Sequence, residues 1–317
     1  MAAGGLRVLV VGAGSIGRRH HDNLLALGAR GELISWRGFS AEALTDRLRA
    51  GADAVVIATA TDVRLPLIAA CAGAGVPVYV EKPLAFRLGD VAAIADIAAP
   101  VAARSMLGVM MRYHPAFRAL AVADLGDVFQ FSLTIGHDVT QWRAGWRFSD
   151  SYAARSPGGG VLLDLCHEID MAACLFPGLA VRGVDSLGHA AYPGVDMASR
   201  ITLGRGGLSG EVAMDYLTPA LHRRCILRGS ERMHDFDFAA QSYVVTDATG
   251  PRPIHMPLER NEMFLAAMRD FLALVAGQPV SDVEHLPRLD LCLPSARLVA
   301  EAWEARRFTG SITKDIA

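Results

Sequence analysis

Up to about residue 109, short apolar runs rich in β-branched side chains alternate with helix-length segments, the pattern of βαβ units around a parallel sheet. The runs lie at 6–11, 32–36, 54–60, 76–80 and 101–109, and the spacing predicts helices over 15–27, 41–49, 63–74 and 88–98. Gly28, Gly51 and Gly75 stand where three of those helices should stop. After Pro115 the rhythm changes. A strand is predicted at 128–135, then an irregular stretch rich in Trp and Arg, a triple glycine, and a helical segment over 161–175. From 181 to 245 strand-like runs follow one another without intervening helices. Two of them, 200–203 and 208–216, flank Gly204-Arg205-Gly206-Gly207, a hairpin turn in prospect. Helices over 262–275 and 288–306 close the pattern.

This order predicts an α/β chain of two domains. Residues 1–116 carry a parallel sheet, and residues 117–317 form an α+β domain with a large, mostly antiparallel open sheet, one face of which is left for a partner subunit. The last helix is placed to pack back on the first domain. With 31 basic against 33 acidic side chains, 52% hydrophobic and 20% charged residues, the chain fits neither a disordered protein nor one that coats nucleic acid. The longest uncharged run, 65–80, is broken by Pro66, Gly73, Gly75 and Pro77 and is too short to span a bilayer. Residues 1–11 lack the pattern of a signal peptide, so a cytoplasmic protein is expected. Five scattered cysteines without a CxxC pair argue against a disulfide frame or a zinc site, and no metal is expected.

The first apolar run leads into Gly12-Ala13-Gly14-Ser15-Ile16-Gly17, a GxGxxG loop between a strand and a helix. Its first glycine allows a tight turn, the second a close approach of backbone to pyrophosphate, and the third close packing of helix on strand; the helix N-terminus then offers N–H groups to the phosphates. A Rossmann domain binding a nicotinamide dinucleotide follows. At the end of the second strand, where a carboxylate would hold the ribose of NAD, Ser35-Trp36-Arg37-Gly38-Phe39-Ser40 offers Arg37 and Ser40 and no acid, which favours NADP over NAD.

Four stretches together resemble the glucose-fructose oxidoreductase, inositol dehydrogenase and rhizopine catabolism family, written Gfo/Idh/MocA. They are the glycine loop, Glu81-Lys82-Pro83, Arg112-Tyr113-His114-Pro115, and Gly158-Gly159-Gly160-Val161-Leu162-Leu163-Asp164 running into His167-Glu168-Ile169-Asp170. Arg260-Asn261-Glu262-Met263-Phe264 also resembles a recurrent segment of members found with bacterial surface-sugar pathways. The resemblance implies pyridine-nucleotide redox chemistry on sugars or polyols in a homodimer or homotetramer, with Gly12, Gly14, Ser15, Ile16, Gly17, Arg37, Thr59, Glu81 and Lys82 toward the cofactor. Two departures stand out. Asp164 and His167 are three residues apart where the family commonly has four, and the segment after Arg37 leaves little room for the usual third strand.

Hydride transfer from a carbinol needs a group to move the hydroxyl proton and a charge to polarise the oxygen. Lys82 at a strand end suits the oxygen, His167 the proton, and Asp164 the orientation of substrate or imidazole. The shortened spacing bears on this assignment: on a helix, either spacing would keep Asp164 and His167 on one face. Trp142, Arg143 and Tyr152, with Arg112 and Tyr113, are candidate substrate contacts, since aromatic faces stack on sugar rings and Arg forks pair with acidic groups. The leading reading is an NAD(P)-dependent oxidoreductase acting on a sugar, polyol or activated sugar. The alternatives are a glycosidase that uses retained NAD(P) for transient oxidation, and a cofactor-binding regulator without catalysis.

Overall fold

The computed structural model of the chain describes residues 5–142, 145–280 and 285–316. Two compact units emerge, Met1–His114 with Glu259–Arg297, and Pro115–Leu258 with Leu298–Ala317. The stretch 259–297 therefore falls with the first unit, which departs from a single division at residue 116.

In the first unit β1 (Arg7–Val11), β2 (Arg30–Ile34), β3 (Ala54–Ile57), β4 (Val78–Glu81) and β5 (Met106–Gly108) form a parallel sheet of order β2-β1-β3-β4-β5. Helices α1 (Ser15–Ala26), α2 (Ala41–Arg49), α3 (Arg64–Gly73) and α4 (Leu88–Ala98) make the crossovers. Val8–Val11, Val55–Ile57, Val78 and Val80 are wholly buried, the uninterrupted apolar strands of a sheet covered on both faces. No strand intervenes between β2 and α2, in keeping with the short segment after Arg37, so β2 is an edge. It starts two residues earlier than its apolar run, because an edge strand tolerates Arg30 and Glu32 and Glu32 is paired by Arg7 and Arg47. The apolar run at 101–109 yields only the three residues of β5, since Ala102–Arg104 coil into a 3-10 turn.

The second unit begins with α5 (Pro115–Ala121) and β6 (Val128–Gly136). The segment expected as one helix over 161–175 is two, α6 (Val161–Asp164) and α7 (His167–Leu175). Leu165, at φ −105° and ψ 29°, leaves the helical region between them. The nine-stranded sheet adds β7 (Ala180–His189), β8 (Ala198–Arg205), β9 (Leu208–Asp215), β10 (His222–Gly229), β11 (Met233–Asp237), β12 (Ser242–Asp247) and β13 (Gly250–Ile254). The β8–β9 hairpin turns at Gly206, whose φ is 47°.

Helix α8 (Arg260–Val275) belongs to the first unit, where it packs on α1, and α9 (Leu293–Glu304) follows. The helix predicted from residue 288 starts later because the preceding backbone is drawn to β5: Leu107 N–H donates to the Pro287 carbonyl at 2.8 Å. Strand β14 (Arg306–Ile312), absent from the sequence reading, pairs in parallel with β7 and completes the order β13-β12-β11-β10-β6-β9-β8-β7-β14. Among the described residues no helix is long and apolar enough to cross a membrane.

Candidate active site

The three glycines of the loop after β1 meet three different demands. Gly12 has φ 116°, and a side chain there would run into the Ala58 carbonyl. A Cβ on Gly17 would overlap the Gly12 carbonyl, so this glycine lets α1 lie against the loop. Gly14 faces open space with nothing within 4 Å of where a Cβ would stand, and it is the N-cap of α1 without a side-chain hydrogen bond. A bare, open helix start followed by Ser15 and Ile16 fits a dinucleotide pyrophosphate, which needs free N–H groups and room for close approach.

At the end of β2, Arg37 is exposed and Ser35 Oγ accepts its N–H at 3.3 Å. Ser40 is committed to α2: its hydroxyl accepts from Ala43 N–H at 3.2 Å and bonds the Glu42 carboxyl, which holds that group below its ordinary range. Of the pair expected to meet a ribose phosphate, Arg37 is the one left to do so. The nearest carboxylate on β2, Glu32, is bound to Arg7 and Arg47.

Lys82 follows β4 at its C-terminal end, the end of a parallel strand at which open α/β sheets take ligands. Of the 31 basic residues in the chain only Lys82 and Lys314 are lysines. Glu81 is buried, with Oε1 2.6 Å from His20 Nε2 and Oε2 accepting Lys82 N–H at 3.3 Å. Burial pushes its carboxyl up, but the hydrogen bond and charge of His20, with Lys82 and Arg64, outweigh that and hold it below the ordinary range. Both oxygens thus have partners inside the unit. Thr59 is nearly buried beyond β3, donating its hydroxyl to the Ala60 carbonyl at 3.1 Å.

Arg112 and Tyr113 lie in a 3-10 turn over Met110–Tyr113, both buried. The Tyr113 hydroxyl donates to Asp270 Oδ2 of α8 at 2.9 Å, a contact that fastens α8 to this turn.

In the second unit Asp164 ends α6 and His167 begins α7, both nearly buried. The break at Leu165 removes the argument that helical spacing puts them on one face. Asp164 is instead defined by two phenols: Tyr152 donates to Oδ1, and Tyr216 donates to Oδ2 at 3.0 Å. Burial and the charge of Asp164 push the Tyr216 hydroxyl far up, so it stays a donor. The triple glycine brings this turn onto Asp196, which accepts Leu162 N–H at 2.9 Å; a Cβ on Gly160 would overlap that carboxylate. Arg306 of β14 pairs with Asp196 from the other side.

Trp142 lies beside this group, stacked near His137 at 6.3 Å and edge-on to Tyr216 at 5.6 Å, with its indole nitrogen buried and without a hydrogen-bond partner among the described residues. Arg143 lies outside the described residues. Sequence reasoning singled out Tyr152 and Asp164 but missed Tyr216, which reaches Asp164 from the strand side across 52 residues of chain, and His20. Among the described residues no cluster of His, Cys, Asp and Glu is suited to a metal ion.

A parallel βαβ sheet with an open glycine loop at the end of its first strand defines a unit of the dinucleotide-binding Rossmann class. Residues 6–109 match the model of the Gfo/Idh/MocA oxidoreductase family, described by its NAD-binding Rossmann fold. It is 30% identical over 152 residues to the myo-inositol dehydrogenase Hyg17 of Streptomyces leeuwenhoekii, a match over 43% of this chain and 47% of that protein. The chain thus spans about half the length of that relative. UDP-N-acetylglucosamine 3-dehydrogenase GnnA from Acidithiobacillus ferrooxidans shares the fold with a TM-score of 0.74 at 21% identity, covering 95% of this chain and 97% of that one. An inositol dehydrogenase homologue from Azotobacter vinelandii, complexed with NAD+, gives 0.77 at 15% identity, covering 95% and 96%.

Proposed function

We propose that the protein is an NADP-preferring oxidoreductase that interconverts a secondary alcohol and ketone on a sugar, polyol or activated sugar. The observation that carries this reading is Lys82, one of two lysines in a chain that otherwise uses arginine, placed at the C-terminal end of β4 in the same parallel sheet as the open Gly14 loop. An ammonium is a compact, titratable donor, whereas a guanidinium stays charged and cannot tune its proton affinity. The names of the similar proteins, inositol and sugar-nucleotide dehydrogenases, support the same class of substrate.

When bound, the nicotinamide supplies the acceptor or donor of hydride. Lys82 hydrogen-bonds the reacting oxygen and steadies its negative charge, and His167 takes or returns the hydroxyl proton. Asp164, with one phenol on each oxygen, is a rigid acceptor that orients a sugar hydroxyl. Trp142 supplies an aromatic face for the ring. Arg37 takes the ribose phosphate of NADP, since Glu32 is spent on two arginines. The alternating exposed positions of the second sheet, among them Arg200, Thr202, Ser209 and Arg228, form the face through which copies of the chain associate.

The test follows reduced-nicotinamide absorbance with NADP, NAD, NADPH and NADH against polyols, sugars, keto-sugars and sugar nucleotides. Turnover that disappears in Lys82→Ala supports the reading, and NADH held more tightly than NADPH would overturn the cofactor preference. Bound cofactor that cycles with no net redox change would replace dehydrogenation by glycoside cleavage.

A further inference from the structure

The backbone around Lys82 is gripped by buried side chains from two helices. Arg64, the first residue of α3, directs its guanidinium at main-chain oxygens: one nitrogen donates to the Glu81 and Pro83 carbonyls, the other to Thr59 at 2.8 Å and Lys82 at 3.4 Å. These four carbonyls join the end of β3 to the segment that carries Lys82. From the other side comes His20 of α1, the helix that opens at the glycine loop. Its Nε2 meets Glu81, whose second oxygen receives the Lys82 N–H.

His20 is wholly buried, and its Nδ1 has no hydrogen-bond partner among the described residues, so its hydrogen bonding is spent on Glu81. Tyr79 and Phe264 close over the ring at 5.0 and 6.2 Å, and Phe271 lies 5.6 Å from Tyr79. Phe264 belongs to the Arg260-Asn261-Glu262-Met263-Phe264 segment, whose Asn261 also pairs its amide with Asn23 of α1 at 3.0 Å. That segment therefore walls off the His20–Glu81 pair. Around Glu81 the titratable and charged groups are His20 from α1, Arg64 from α3, and Tyr79 and Lys82 from its own segment.

A buried carboxylate held by an imidazole is a poor route to stability, because desolvation cancels most of the attraction and an apolar pair would serve as well. Its use directly behind Lys82 calls for another purpose. We propose that His20 and Arg64 are positioning residues for Lys82: His20 through the Glu81 carboxylate, and Arg64 through the flanking carbonyls, fix the backbone from which the ammonium is presented. The inference rests on the assignment of Lys82 to the reacting oxygen, and it adds residues that touch neither substrate nor cofactor.

The presence of only two lysines allows a test that needs no substrate. Trace acetic anhydride is applied to the full chain from about pH 7 to about pH 11, and acetylation of Lys82 is read by peptide mass spectrometry against Lys314 as internal reference. His20→Phe fills the aromatic pocket without a partner for Glu81, His20→Gln restores a donor, and Arg64→Lys keeps the charge but loses the fork. Expected are an about threefold or larger change in the Lys82 to Lys314 ratio and a shift of its midpoint by about half a pH unit in His20→Phe and Arg64→Lys, with His20→Gln near wild type. Thermal midpoints are recorded in parallel, and if His20→Phe does not fold, Arg64→Lys carries the comparison. Unchanged Lys82 labelling in the folded variants, with only the thermal midpoint lowered, would overturn the proposal. Normal turnover of Lys82→Ala would instead remove the catalytic reading beneath it, an outcome that the labelling result does not share.

Discussion

Tyr216 donates its hydroxyl to Asp164 Oδ2 at 3.0 Å, just beyond the end of β9, and no part of its side chain is exposed. With Tyr152 on the other oxygen, two phenols fix the carboxylate at the end of α6. Tyr216→Phe keeps the packing against Trp142 and Phe148 and removes only this donor. The expected result is a loss of about 1–2 kcal/mol in stability by denaturant titration. Turnover should fall by about tenfold or more, with cofactor affinity unchanged in a fluorescence titration. Full activity at reduced stability would confine Tyr216 to a packing role.

The glycine loop separates binding from folding. Gly14→Ala adds a methyl group where nothing stands within 4 Å, so its thermal midpoint should match wild type while NADPH binding weakens by about tenfold or more. Gly17→Ala forces the Gly12 carbonyl aside and should cost about 1–3 kcal/mol of stability. Unchanged NADPH binding in Gly14→Ala would show that Gly14 does not face the pyrophosphate.

Arg306 and Asp196 form an ion pair with 8% and 0% side-chain exposure, and Asp196 also accepts Leu162 N–H and the Ser199 hydroxyl. Arg306→Met leaves that carboxylate buried without its cation and should destabilise the chain by about 3–5 kcal/mol. Adding Asp196→Asn in the same chain should return part of the loss. A double variant no better than the sum of the singles would argue against direct coupling.

His234 lies buried on β11 with neither ring nitrogen hydrogen-bonded among the described residues, and burial holds its pKa below 6.5. The unfolded chain takes up the proton first, so this site's contribution is complete above pH 6.5. It is lost as the pH falls from there to the depressed folded value, at up to about 1.4 kcal/mol per pH unit. His234→Phe should flatten that part of the stability profile measured by urea titration at successive pH values. An unaltered slope would place the titrating group elsewhere.

Much of the first unit was legible because its signals are local. Apolar strands buried on both faces read as unbroken runs, and α2 and α4 begin and end where their patterns do. The glycine loop carries its reasons within six residues. What escaped depends on distance along the chain. The polar strand β14 has no apolar run and exists because it can pair with β7, and the helix break at Leu165 arises where the turn is drawn onto Asp196. The site divides in the same way. Lys82 and Asp164 stand in recognisable motifs, but Tyr216, His20 and Arg64 acquire meaning from partners 17 to 61 residues away.

The return of α8 to the first unit has a consequence for the order of events during synthesis. When β5 leaves the ribosome, the parallel sheet has all its strands, yet Tyr79 and His20 still lack Phe264 and Phe271 above them. All of Pro115–Leu258 must be made before that cover arrives. A nascent chain arrested before residue 259 would hold a sheet with a wet His20–Glu81 pair and an uncovered aromatic patch, open to chaperones and proteases until translation resumes.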